Sequence, residues 1–139
     1  MELSEALRHA ASDRKGVLVT LKSCGRPQLS NIFYALDNGV VSISVTDTRA
    51  KVANLRRDPR ASLWMPGGDF FHYVVLEGDV TLSNVATSPN DEAADELVDL
   101  YRRLEGEHDD WTSYRSAMVD DQRLVARLTP TRAYGLWSS

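Results

Sequence analysis

A predicted helix over residues 49–57 begins with positive charges, although this end of a helix normally favours negative ones. Thr48 is a candidate N-cap for the helix. Arg49 and Lys51 fall in its first turn, where the helix dipole disfavours each cation by roughly 0.3–1 kcal/mol. A phosphate or carboxylate would bind both cations and the free N–H groups of that turn. The pattern indicates either an anion-binding site or a solvated basic helix.

The charge of the chain is distributed unevenly. Residues 47–60 contain five basic and two acidic side chains, a local charge of +3, whereas the whole chain of 139 residues has a net charge of −4. Domains that bind nucleic acids are usually basic, so this balance argues against a nucleic-acid partner. A compact basic patch on an acidic protein is instead typical of a binding site for a small polyanionic ligand.

Several other classes of protein are disfavoured by composition. The single cysteine, Cys24, excludes an internal disulfide and is typical of a reducing compartment. Residues 1–5 lack the apolar segment of a secretory signal, and no apolar run is long enough to cross a bilayer. We therefore expect a cytoplasmic protein without a membrane partner. His9, His72 and His108 lack the spacing of metal ligands, so no metal site is predicted.

The elements that must position these residues are mainly β-strands. A single domain over residues 1–139 is predicted. Strands are predicted at 17–21, 28–36, 40–45, 61–65, 73–83 and 124–137, and helices at 4–13, 49–57, 88–104 and 110–119. The first three strands are expected to form a meander, with Asn38 and Gly39 in its second turn. Ser4, Ser88 and the pair Asp109-Asp110 are candidate N-caps, and Gly78 is a candidate bulge or point of close approach. Six strands without βαβ alternation predict a closed or nearly closed antiparallel barrel.

Polar and aromatic side chains on these strands allow two interpretations each. Gln28, Ser30, Asn31 and Ser44 either bind a heterocycle inside the barrel or form the solvent face of a sheet. The aromatic residues in 70–73 either pack inward or form a wall against a planar ring. No nucleophile motif or acid–base pair accompanies them, which favours an enzyme whose cofactor carries the chemistry.

Two motifs occur in a characteristic order: Gly25-Arg26-Pro27-Gln28-Leu29-Ser30-Asn31, and Arg49-Ala50-Lys51 followed by residues 54–62. In this order, and with residues 100–115, they resemble the actinobacterial deazaflavin-dependent branch of the pyridoxamine-phosphate-oxidase-like family. The resemblance implies a six-stranded antiparallel split β-barrel with short flanking helices. It also implies a homodimer that binds its cofactor between the subunits. That cofactor is coenzyme F420 or, alternatively, FMN.

The resemblance also implies roles for individual residues. Arg49, Lys51 and Asn54 are similar to family positions that hold the cofactor phosphate and the start of its acidic tail. The positions that line the ring system correspond to Gln28, Ser30, Asn31 and Ser44. Phe71 and Tyr73 fall where aromatic residues border the ring and the substrate space, and Phe71 replaces a Trp of close relatives. Arg56 and Arg57 either bind the tail or form salt bridges and contact solvent.

Together these features predict an oxidoreductase that transfers a hydride from reduced coenzyme F420 to a conjugated small-molecule acceptor. The five basic residues within 47–60 match coenzyme F420, which carries a phosphodiester and several carboxylates, better than FMN with its one phosphate. Two alternatives remain: an FMN-binding enzyme related to pyridoxamine phosphate oxidase, and a non-catalytic carrier of F420. No catalytic residue is predicted.

Overall fold

Seven antiparallel strands form one sheet that curls into a split barrel in the computed structural model, which describes residues 1–137. The strands are β1 Lys15–Leu21, β2 Pro27–Phe33, β3 Ala35–Asp37, β4 Val40–Thr46, β5 Arg60–Pro66, β6 Tyr73–Leu82 and β7 Arg123–Leu136. The helices are α1 Leu3–Ala11, α2 Ala50–Arg57, α3 Glu92–Glu105 and α4 Trp111–Asp120. The order of strands in the sheet is β2-β1-β5-β6-β7-β4-β3. The predicted split-barrel fold is confirmed, with seven strands rather than six.

The additional strand arises because the predicted strand over residues 28–36 is interrupted at Tyr34. The Tyr34 side chain is fully buried, and its hydroxyl donates a 2.6 Å hydrogen bond to the carbonyl of Ala10 in α1. Its backbone N–H donates to the carbonyl of Arg14 rather than to a neighbouring strand. The chain therefore changes partner here: β2 pairs with β1, and β3 pairs with β4. Both hairpins of the predicted meander are present, but its middle strand is not continuous, since β2 and β3 lie at opposite ends of the strand order.

The two faces of the sheet differ in what covers them. Inward side chains such as Leu18, Leu63 and Leu76 are fully buried and form the barrel core with α1 and α2. A second apolar cluster packs α3 and α4 against β7 around Leu97 and Val125. The outward side of β2, β1, β5, β6 and the end of β7 has no such cover among the described residues. Its exposed large side chains are Leu29, Phe33, Trp64, Tyr134 and Leu136, which we call the outer apolar face.

Three predicted helix starts differ from the structure. Helix α2 begins after Arg49, not Thr48, and Arg49 has an extended N-cap conformation (φ −77°, ψ 148°) without a side-chain capping bond. Helix α1 begins after Glu2 rather than Ser4. Helix α3 begins after Asp91 rather than Ser88, because the Asp91 carboxylate accepts a 2.8 Å hydrogen bond from the N–H of Ala94.

Three other local predictions are confirmed. The carboxylate of Asp110 accepts from the N–H of Ser113 at 3.1 Å and caps α4. Asn38 and Gly39 both have positive φ, 50° and 76°, as a two-residue hairpin turn requires. The pairing of β6 with β7 shifts register between Glu77 and Gly78, where Thr131 of β7 is the extra residue, so Gly78 lies at the irregularity as a point of close approach.

Gly78 is also required by close packing of the backbone. A Cβ atom at this position would lie 2.1 Å from the Thr129 carbonyl oxygen. We expect Gly78→Ala to lower the free energy of unfolding by about 1–3 kcal/mol, because the backbone of β7 must move away. Urea denaturation measures the loss. Gly68→Ala is the matched control, since a Cβ there meets nothing within 4 Å. Equal stability of the two variants would contradict the prediction.

Candidate functional site

A cavity of about 700 Å³ opens where the barrel is split, between β2 and β4, and we call it the groove. Its walls come from β2, β4, the first turn of α2, the C-terminal part of α3 and the first residue of β7. Six of the nine predicted site residues line it: Gln28, Ser30, Asn31, Ser44, Arg49 and Lys51. The structure thus brings two motifs that are separate in sequence to one cavity.

The first turn of α2 supplies two of the cations in the groove. Arg49 is the N-cap residue and Lys51 is the second residue of the helix, and both line the cavity. The first turn contains no acidic residue. The Lys51 ammonium donates to the Ser30 hydroxyl at 3.5 Å, a long contact that leaves most of its donor capacity unused. The helix dipole and both cations therefore favour an anion at this end of the groove.

Arg123 supplies a third cation that the sequence did not reveal. It is the first residue of β7 and pairs with Thr46 of β4, so its side chain reaches the groove from the opposite strand. Its Nη1 donates to the Ser44 hydroxyl at 3.4 Å. Its Nε is buried and has no hydrogen-bond partner within range among the described residues, although the Asp121 carboxylate lies 3.9 Å away. Arg123 therefore adds a positive charge to the groove wall, which favours an anionic ligand there.

Burial and the two neighbouring arginines affect the ionisation of Lys51. Burial lowers the pKa of Lys51, and the neighbouring charges of Arg49 and Arg123 lower it further. A bound anion would oppose both effects by stabilising the ammonium.

This pKa leads to a prediction about pH. The affinity for phosphate should fall as the pH rises through the lowered pKa of free Lys51, because the side chain loses its charge there. The free protein should become more stable over the same interval, since the unfolded chain still holds the proton that the folded state has released. Phosphate titrations at several pH values measure the first effect. Lys51→Arg, whose guanidinium stays charged, should remove it; an unchanged pH profile in that variant would assign the effect to another group.

Asn54 does not line the groove. Its side chain is buried, at 6% exposure, behind the wall formed by β2. Its amide donates to the hydroxyl of Thr20 at 3.1 Å and to Oε1 of Gln28 at 2.9 Å, while its Oδ1 accepts from Arg57 at 3.3 Å. Asn54 therefore contacts a residue of the groove wall rather than the cavity itself.

The other two basic residues of α2 are engaged within the protein. Arg56 forms a 2.6 Å salt bridge with Asp47. Arg57 donates to the backbone carbonyl of Leu21 and to Asn54. The structure therefore shows Arg56 and Arg57 in contacts within the chain, rather than in contact with the groove where a cofactor tail would lie.

Phe71 and Tyr73 lie outside the groove of their own chain. Phe71 is 71% exposed in the loop between β5 and β6. The carboxylate of Asp69 organises this loop by accepting from the N–H of Phe71 at 2.9 Å and pairing with His72 at 2.6 Å. Tyr73 begins β6, with its ring edge-on to Tyr134 at a centroid distance of 6.4 Å. A role for either residue at the cofactor ring requires a second subunit.

Helix α3 contributes a further wall that the sequence did not reveal. Tyr101 lines the groove, and its ring contacts an aromatic cluster with His108, Trp111 and Tyr114. Glu105 also lines the groove, and its carboxylate lies 3.3 Å from Arg14.

Two classes of site are not found in the part of the chain that is described. Residues 1–137 contain no group of three His, Cys, Asp or Glu side chains that could hold a metal ion. No helix in these residues is long and apolar enough to cross a membrane.

Comparison with known proteins identifies the family. The sequence profile of pyridoxamine 5'-phosphate oxidase matches residues 3–137. The chain therefore belongs to the pyridoxamine 5'-phosphate oxidase family.

Solved structures with the same fold include proteins of several kinds. The conserved hypothetical protein Rv2991 from Mycobacterium tuberculosis is 25% identical with a TM-score of 0.76, over 97% of this chain and 84% of that one. An F420 reductase is 22% identical with a TM-score of 0.63, over 87% of this chain and 89% of that one. A heme binding protein from Mycobacterium smegmatis is 25% identical with a TM-score of 0.68. The match covers 96% of this chain but 53% of that protein, so this chain spans about half its length.

Proposed function

We propose that the protein is an oxidoreductase that binds coenzyme F420 in the groove and transfers a hydride to a conjugated small-molecule acceptor. The observation that carries this proposal is the convergence of three cations, Arg49, Lys51 and Arg123, on one cavity. The family of the chain and the shared fold with an F420 reductase support a flavin-like cofactor. The cofactor would supply the redox chemistry, and the protein would bind and orient it.

The charge of the groove favours coenzyme F420 over FMN. One phosphate can pair with Arg49 and Lys51, as the sequence already suggested. Arg123 adds a third cation, whose Nη1 has a long 3.4 Å contact with the Ser44 hydroxyl. A ligand with a phosphodiester and additional carboxylates can serve all three cations, whereas the single phosphate of FMN provides fewer anionic oxygens. Arg56 and Arg57, which contact Asp47 and Leu21, do not line the groove and add no cation to it.

The polar strand residues provide the second half of the proposed site. Gln28 and Ser30 on β2 and Ser44 on β4 line the groove on both sides of the split. In our proposal they hydrogen-bond the edge of the deazaflavin ring, while the cations hold its tail. Asn31 lies at the outer rim of the same wall, since its side chain is exposed.

The proposed assembly is a homodimer that uses the outer apolar face. Trp64 pairs across the sheet with Val17 and Val75, and Val75 pairs with Tyr134, so one apolar row crosses four strands. Apolar surface of this kind marks an interaction site. Tyr73 contacts Tyr134 of this face edge-on, so a second subunit here would lie close to Tyr73.

Titration with the two candidate cofactors tests the assignment. Purified protein is mixed with coenzyme F420 and, separately, with FMN, and the fluorescence of each ring is followed. We expect tighter binding of coenzyme F420. Tight FMN binding without any response to coenzyme F420 would overturn the assignment and favour the FMN-dependent alternative.

Turnover separates an enzyme from a carrier, since both would use the same binding residues. Reduced coenzyme F420 is supplied with enones, quinones and nitroaromatic compounds, and its reoxidation is recorded. We expect at least one class to be reduced. Binding without turnover across the whole panel would favour the non-catalytic carrier of F420.

A further inference from the structure

The orientation of the Gln28 side-chain amide is determined by a chain of hydrogen bonds behind the groove. Arg57 donates to Oδ1 of Asn54 at 3.3 Å, and Nδ2 of Asn54 donates to Oε1 of Gln28 at 2.9 Å. Asn54 also donates to the hydroxyl of Thr20, which is fully buried. Asn54 itself is 6% exposed, so water has little access to this junction.

The donor-to-acceptor direction of this series of hydrogen bonds follows from the chemistry of Arg57. A guanidinium has donors and no acceptor, so Asn54 must direct its oxygen to Arg57. The NH₂ group of Asn54 then faces Gln28, whose side-chain oxygen must accept the hydrogen bond. The opposite orientation of either amide would place two donors against each other in a buried site, at the cost of an unsatisfied pair. Gln28 is therefore left with its NH₂ group free of Asn54.

That NH₂ group belongs to a residue that lines the groove. Ser30, two residues along β2 on the same side, accepts from the Lys51 ammonium at 3.5 Å, which leaves its O–H available to donate. This wall thus combines the amide of Gln28, the hydroxyl of Ser30 and the ammonium of Lys51, all three as donors. Asn54, which the family resemblance placed at the cofactor phosphate, lies behind this wall rather than in it.

We propose that Arg57 and Asn54 are positioning residues that hold Gln28 as a hydrogen-bond donor in the groove. The β2 wall would then select a ligand whose edge carries oxygen acceptors, such as the conjugated carbonyl groups of a pyrimidinedione ring. The identity of that ligand rests on the proposed function, but the polarity of the wall does not. A ligand edge that offers donors would meet donors here and be rejected.

Asn54→Asp is designed to reverse the polarity of Gln28 with almost no change in shape. The new carboxylate has no donor, so it accepts from Arg57 and Thr20 and requires a donor from Gln28. The Gln28 amide must then rotate, and its oxygen turns toward the groove. Hydrogen exchange of the side-chain NH₂ groups, followed by NMR, reports this rotation without any cofactor. In the unaltered protein we expect fast exchange for Gln28 and slow exchange for Asn54; in the variant, Gln28 should become slow. Asn84→Asp, at an exposed asparagine, is the charge-matched control and should change neither rate.

Binding measurements test the consequence for the ligand. We expect Asn54→Asp to weaken coenzyme F420 about tenfold more than it weakens inorganic pyrophosphate, which reports the effect of the added charge alone. Gln28→Met removes the donor without adding charge, and should weaken coenzyme F420 about tenfold while pyrophosphate binding stays within about twofold. In the Gln28→Met background, Asn54→Asp should weaken coenzyme F420 no more than pyrophosphate.

The two proposals can fail separately. If the unaltered protein binds neither coenzyme F420 nor FMN, the proposed function fails, and hydrogen exchange still decides the polarity of Gln28. Slow exchange of Gln28 in the unaltered protein would overturn the positioning role, as would fast exchange in a folded Asn54→Asp variant. If Asn54→Asp does not fold, the exchange rates of the unaltered protein and the Gln28→Met binding data decide the question: a Gln28→Met variant with normal F420 affinity would refute the donor assignment.

Discussion

Replacement of Lys51 by alanine is expected to weaken the binding of coenzyme F420 by about 1.5–3 kcal/mol, the scale of a hydrogen bond to a charged group. Lys51 lies in the first turn of α2, and its ammonium has one long contact, with Ser30 at 3.5 Å. Most of its interaction energy is therefore available to the ligand. Arg49→Ala should have an effect of the same size, because the N-cap residue lines the same end of the groove.

The same substitutions should leave the fold intact. A cation in the first turn opposes the helix dipole, so its removal stabilises α2 slightly or has no effect. The low pKa of Lys51 is the sign of this unfavourable environment, which arises from burial and from the charges of Arg49 and Arg123. The substitutions should thus weaken binding without lowering stability, as is typical of residues whose role is binding.

Fluorescence titration and urea denaturation measure the two effects. Lys22→Ala and Arg26→Ala, in the exposed β1–β2 turn, are matched controls that remove equal charge from residues that do not line the groove. If Lys51→Ala binds as tightly as Lys22→Ala, the anion site has been assigned to the wrong residues. An unfolded Lys51→Ala variant would show instead that Lys51 has a structural role.

The half of the groove formed by β2 and α2 could be predicted from sequence because its signals are local. Cations without a capping acid identify the start of α2, and alternation along 28–31 places Gln28 and Ser30 on one side of a strand. Arg123 could not be found in this way. It reaches Ser44 only because β7 pairs with β4, and these two residues are 79 positions apart in the chain. A pairing of that kind depends on the order of the whole sheet.

The topology shows the same dependence on distant contacts. The turn at Asn38 and Gly39 follows from the conformational preference of those two residues. The break at Tyr34 depends instead on a hydroxyl that reaches Ala10 of α1, which local alternation does not record. Because β2 and β3 pair with different strands on either side of this break, the barrel remains open on one side. The groove occupies the opening. The break at Tyr34 therefore explains both errors of the prediction from sequence, the continuous middle strand of the meander and the omission of a seventh strand.

Asn54 illustrates a different limit of prediction from sequence. Its position in the motif was recognised, but a motif does not tell which way a side chain faces. In the structure it turns to Thr20 and Gln28, behind the cavity wall. Residues that position a ligand-binding group and residues that touch the ligand can occupy adjacent turns of one helix, so the contacts are needed to distinguish them.

Trp64→Glu is expected to convert a homodimer into monomers, with a dissociation constant at least about 30-fold higher. Trp64 is 37% exposed in the single chain and lies in the apolar row between Val17 and Val75. An interface on the outer apolar face would bury this side chain completely, and aromatic residues at such central positions commonly contribute about 2 kcal/mol or more. A carboxylate there would be buried without a partner. The fold of each subunit should persist, since the side chain points away from the barrel core.

Analytical ultracentrifugation over a range of concentrations measures the dissociation constant. Thr81→Glu adds the same charge at another exposed position of a sheet strand, and should leave the dimer unchanged. If the cofactor site is shared between subunits, coenzyme F420 should also bind Trp64→Glu more weakly, and higher protein concentration should restore part of the affinity through mass action. A monomeric unaltered protein, or a dimer that survives Trp64→Glu, would show that the outer apolar face is not the subunit interface. Normal F420 affinity in a monomeric variant would show that one chain forms the complete site, without Phe71 or Tyr73 from a partner.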